Sequence, residues 1–171
     1  MDIYVALFRG INVGGRNILQ MKELAKLLEE NDCHDVKTYI QSGNVVFKSR
    51  KPPENIGLLI EQKHGFKPDI LTLRKDEFLG FVNGNPFSST IGNQVHFYFC
   101  KDNPNANLAK LEALKSESEE FLIKDKVFYL HAPDGIGRSK LAANAERHLG
   151  AVATARNLNT VNKLVEMLND L

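Results

Sequence analysis

The feature that most constrains this chain is that the order of its hydrophobic periods occurs twice. An apolar run at residues 3–8 reads as a strand, and Met21, Leu24, Leu27 and Leu28 then recur at helical spacing. Two more strand-length runs follow, 36–40 and 45–47, joined by Gln41-Ser42-Gly43-Asn44, whose Ser-Gly-Asn centre is a hairpin signal. Pro52-Pro53 suit a helix start, Ile56, Leu59 and Ile60 mark that helix, and residues 69–73 predict a fourth strand. A short closing helix is expected around Phe78, Phe81 and Val82. The second half returns to the same order: strand 95–99, a helix carrying Leu108, Leu111 and Leu114, strands 121–123 and 126–130, helix 139–149, strand 152–155 and helix 160–168. Matching landmarks, such as Phe47 with Phe128 and Arg74 with Arg156, keep a nearly constant offset.

Each half therefore reads β-α-β-β-α-β plus a trailing helix, the split β-α-β, ferredoxin-like unit. The predicted fold is α+β, with two tandem units, each an antiparallel sheet with helices on one face. Residues 1–84 form the first expected unit and 94–171 the second, with 85–93, rich in Gly, Pro, Ser and Asn, as linker. In this fold the strands lie in the order four, one, three, two. The loop after strand one and the hairpin between strands two and three then leave the sheet at one end, and the loops after strands three and four leave at the other.

That geometry groups two sets of residues. In the first half it brings 9–17 (RGINVGGRN) beside 41–44, with Arg9, Gly10, Asn12, Gly14, Gly15, Gln41, Ser42 and Asn44 as candidate ligand groups. In the second it brings Gly135, Gly137, Arg138, Ser139 and Lys140 beside Arg156, Asn157 and Asn159. Free N–H groups at the following helix starts and the guanidinium and ammonium donors suit an anion. The same residues also serve as ordinary turn glycines and helix caps, so the loops alone do not decide between the two uses.

Several chemistries are excluded by spacing. Gly10 and Gly15 keep the spacing of a nucleotide-binding P-loop, but Arg16 and Asn17 stand where that loop needs Lys and a hydroxyl residue. Gly135-x-Gly137 has Lys140 where a dinucleotide fingerprint needs its third glycine, and no cofactor is assigned. The five histidines, His34, His64, His96, His131 and His148, sit singly, and Cys33 and Cys100 are far apart, so no metal site is expected. Ser42 and Ser139 match neither common serine-nucleophile motif. Lys and Arg total 22 against 21 Asp and Glu, which gives no global field for gripping long nucleic acid. No apolar run approaches the roughly 20 residues of a membrane span, and no basic region precedes the apolar N-terminal stretch, so a cytoplasmic location without membrane partners is expected. Tyr98 and Tyr129, on the two expected central strands, resemble the base-stacking face of an RNA-binding sheet, although the accompanying RNP1 pattern is absent.

Five segments in order, RGINVGG at 9–15, YIQSGNVVF at 39–47, NPF at 85–87, PDGIGRSKL at 133–141 and TARNLNTVNKL at 154–164, resemble the bacterial family catalogued as domain of unknown function 1697. The resemblance implies tandem ferredoxin-like α/β plaits and no assigned activity. It also implies a Trp where this chain has Leu158. Three functions are carried forward. The leading one is recognition of a small phosphorylated, carboxylated or nucleotide-like ligand by the paired loops. An enzyme acting on a phosphorylated substrate would use Arg9, Arg138 or Lys140 to stabilise charge and Asp134 as general base. An RNA- or protein-interaction module would use a sheet face.

Overall fold

The computed structural model describes residues 1–88 and 91–171; Ser89 and Thr90, within the expected linker, lie outside the described residues. The first half contains β1 (Asp2–Arg9), α1 (Met21–Glu29), β2 (His34–Tyr39), β3 (Asn44–Ser49), α2 (Ile56–His64), β4 (Asp69–Arg74) and α3 (Lys75–Asn83). A single 3-10 turn at Gly92–Gln94 leads into β5 (Val95–Cys100), α4 (Leu108–Leu114), β6 (Glu120–Lys124), β7 (Val127–His131), α5 (Lys140–Leu149), β8 (Ala153–Asn157) and α6 (Leu158–Asn169). The sheets run β2-β3-β1-β4 and β6-β7-β5-β8, with every neighbouring pair antiparallel. This is the order expected from the duplicated plan.

Strand alternation explains the two cores. Tyr4, Ala6 and Phe8 of β1 meet Val45 and Phe47 of β3, and α1 and α2 cover them with Leu24, Leu28, Ile56 and Ile60. Tyr98 and Cys100 of β5 meet Phe128 and Leu130 of β7 beneath Leu111 of α4 and Leu141, Ala145 and Leu149 of α5. The β2 edge departs from the simple reading. It begins at His34 rather than Val36, and its pairing with β3 shifts register between His34 and Lys37, where Asp35 takes a positive φ of 52°.

The aromatic stripe does not make the stacking platform that the sequence suggested. Register places Phe97 opposite Tyr129 and Tyr98 opposite Phe128, so the two tyrosines point to opposite faces of the sheet. They are only 8% and 1% exposed. Burial pushes both phenols up to about 12, with the carboxylates of Glu119 and Asp125 adding to Tyr98 and Tyr129 respectively.

The compact units also divide elsewhere than at 85–93. The first comprises Met1–Gly80 with Lys163–Leu171, and the second Phe81–Asn162. Hydrogen bonding and packing give the reason. Phe81 stacks at a tilt on Phe99, with ring centroids 6.3 Å apart, and its carbonyl accepts the Tyr129 hydroxyl at 2.6 Å. At the other end of the chain, Lys75 Nζ donates to the Leu168 carbonyl at 2.8 Å and Lys37 Nζ to that of Asp170 at 3.3 Å. Among the described residues no helix is long and apolar enough to cross a membrane.

Candidate functional site

In the first unit, topology brings the expected loops together. The Phe8 N–H donates to the Gly43 carbonyl, and Asn12 Nδ2 to that of Gln41, both at 2.8 Å. The cluster is then closed by its own bonds. Asn12 Nδ2 also donates to the Leu19 carbonyl, and its Oδ1 accepts the Leu19 N–H, each at 2.8 Å. Asn17 Nδ2 donates to the Gly10 carbonyl at 2.8 Å, and the Asn12 and Arg16 N–H groups bond the Asn17 and Val13 carbonyls. Asn44, fully buried, donates to the Tyr39 carbonyl and to Ser42 Oγ at 3.0 Å. Positive φ values at Gly10, Asn12, Gly14, Gly15 and Asn17 show why this loop is written in glycine and asparagine. Arg9 ends β1, opposite Asp69 of β4. The amides of this cluster thus hold a turn.

In the second unit the two expected segments separate. β5 lies between β7 and β8, so loops leaving the latter two start about two strand spacings, roughly 10 Å, apart. Asn157 Oδ1 accepts the Thr160 N–H at the start of α6, and Asn159 packs against Gly92. Arg156 is half-buried, donates to the Ala155 carbonyl at 2.8 Å, and is pushed down to about 10 by desolvation.

The segment that leads into α5 instead meets the turn between α4 and β6. Together they line a cavity of about 560 Å³, whose walls include Lys115, Glu119, Asp134, Arg138, Ser139 and Lys140. Ser139 caps α5 by accepting the Ala142 N–H at 3.0 Å and donates its own hydroxyl to Glu119 Oε2 at 2.5 Å. Glu119, 5% exposed, accepts the Ser116 N–H on its other oxygen at 3.0 Å. Ser118 Oγ donates to Asp134 Oδ2 at 2.6 Å.

Neutral donors from the chain thus occupy both oxygens of Glu119 and one of Asp134, and two of the three lining cations are left over. Lys115 Nζ sits 3.5 Å from Glu112, whereas the side chains of Arg138 and Lys140 make no ion pair or hydrogen bond among the described residues. With Lys115 paired to Glu112, the open cations are Arg138 and Lys140, at the positive end of the α5 dipole. Such a lining can hold an anion.

Four of the sequence candidates line this cavity or its rim as Gly135, Arg138, Ser139 and Lys140, and Gly137 lies in the same loop. Lys115, Ser116 and Glu119 were not among the candidates. Their signal was present: Ser116-x-x-Glu119 has capping-box spacing, and Glu119 does reach back to the Ser116 N–H.

A structure described as that of a conserved bacterial protein SP0830 from Streptococcus pneumoniae is similar over 98% of both chains, with a TM-score of 0.71 and 24% identity. That likeness shows the fold. No curated protein matches the chain. The family model described as protein of unknown function (DUF1697) matches residues 1–129, a span that ends before the segment leading into α5. The duplicated sheets and this match over most of the sequence give one conclusion: the chain belongs to the DUF1697 family.

Proposed function

We propose that this protein is a cytoplasmic binding protein for a small anionic, phosphorylated ligand, held in the cavity between the α4–β6 turn and the start of α5. The observation that carries the reading is that Arg138 and Lys140 line a cavity of about 560 Å³ without a charged or hydrogen-bonding partner among the described residues. Its volume falls within the roughly 300–1,000 Å³ of small-molecule sites. Arg138 and Lys140 are exposed beside the N-terminus of α5, so their donors are open to an incoming anion that the helix dipole also favours.

Thermal unfolding with and without phosphorylated metabolites tests this. Ligand at about 100 times its dissociation constant adds roughly 2.7 kcal/mol of stability. The increment should shrink in an Arg138→Ala, Lys140→Ala double variant. Absence of any increment with phosphate-bearing compounds, or an equal one in the double variant, overturns the reading.

A second reading has one observation in its favour. Asp134 lines the same cavity as the cations, so a carboxylate stands where a general base for a transferase or hydrolase would be needed. Release of phosphate from a phosphate ester by the wild-type protein and not by Asp134→Asn would support it. Stable binding without turnover leaves the simpler function.

A further inference from the structure

We infer that the ligand of this cavity is a phosphate monoester of a polyhydroxylated compound, with its phosphate on Arg138 and Lys140 and a hydroxyl donated to Asp134. This deepens the proposed function and rests on it. The argument starts from which lining groups remain open. Both oxygens of Glu119 are occupied, by the Ser116 N–H and the Ser139 hydroxyl. Asp134 is different: Ser118 binds its Oδ2, and its Oδ1 has no partner among the described residues. The wall therefore offers unpaired cations and one unpaired carboxylate oxygen in the same space.

That combination is selective in two directions. A carboxylate oxygen accepts hydrogen bonds and repels anions, so it meets a neutral donor on the ligand and disfavours a second phosphate. An ammonium donor is disfavoured as well, since Arg138 and Lys140 line the same space and repel it. A hydroxyl is the group that satisfies Asp134 without opposing the cations. The exposure of Asp134 keeps the fold independent of this residue, so its replacement reads binding rather than folding.

Isothermal titration of the protein with inorganic phosphate, ribose 5-phosphate and pyrophosphate provides the test. Ribose 5-phosphate should bind about tenfold or more tightly than inorganic phosphate, the scale of one hydrogen bond to a charged acceptor. In Asp134→Ala that preference should disappear, while inorganic phosphate binds somewhat better because a repelling charge has gone. Arg138→Ala should weaken both. Pyrophosphate binding more tightly than ribose 5-phosphate, or a sugar preference that survives Asp134→Ala, overturns the monoester assignment and leaves anion binding standing. If none of the three probes binds, the proposed function fails with it.

Discussion

Ser139 performs two tasks with one oxygen, and they can be measured apart. Ser139→Ala removes the cap on the Ala142 N–H and leaves Glu119 Oε2 without its hydroxyl donor. A loss of roughly 2 kcal/mol is expected in urea unfolding, from one lost cap and one unsatisfied buried acceptor. Ser139→Thr keeps both bonds and should fall within about 0.5 kcal/mol of wild type. An alanine variant as stable as the threonine one would show that neither bond matters. The cap was legible in the sequence, because Ser139 stands directly before a periodic apolar run. Its bond to Glu119 was not, since the partner lies 20 residues away and local pattern carries no information about it. Asn12 gives the opposite lesson. A loop asparagine that binds a ligand and one that staples its own backbone look alike in sequence, and only the bonds to Leu19 and Gln41 show the second.

At the scale of elements, the packing of the β1–α1 loop onto the β2–β3 turn makes a sharp contrast between two glycines. Gly43 has a φ of +87°, and a Cβ there would come within 2.6 Å of Ile11 Cδ1 and Phe8 Cβ. Gly14 also has a positive φ, +56°, but open space around it. Gly14→Ala should therefore cost only the left-handed backbone strain, about 1 kcal/mol, and Gly43→Ala that strain plus overpacking, roughly 3 kcal/mol or more. Equal midpoints in denaturant for the two variants would contradict this packing. Sheet order was readable beforehand because a repeated β-α-β-β-α-β plan admits few threadings. Where the second-unit loops would meet was not. Residues 134–140 find the α4–β6 turn rather than 156–159, which depends on loop conformation that strand order leaves open.

For the whole molecule, one buried histidine links stability to pH. His96 is 7% exposed and its Nε2 faces the Asn93 carbonyl at 2.9 Å, an arrangement that needs Nε2–H. Desolvation holds its folded pKa below the ordinary 6.5, outweighing the Asn93 bond. The unfolded chain thus binds the proton more readily. The neutral ring's contribution is fully present above pH 6.5 and is lost as pH falls towards the depressed folded value. Unfolding free energy measured from pH 7.5 downward should decline more steeply in wild type than in His96→Gln, and parallel curves would refute the assignment. The division into units gives a second prediction. Leu164 and Leu168 are fully buried in the C-terminal segment that belongs with the first unit. A chain ending at Asn162 should lose on the order of 4 kcal/mol by denaturant titration, about 2 for each leucine; a loss below 1 would mean the segment is dispensable. The Pro- and Gly-rich stretch pointed to a boundary near 85–93, but composition could not reveal that Phe81 packs with Phe99 or that the last residues return to Lys37 and Lys75.

That return sets an order of events on the ribosome. The half of the protein translated first stays unfinished while the other half emerges and closes upon itself. It receives its final helical turns only after residues 163–171 have been made, so the earliest-made sheet is the last to be sealed.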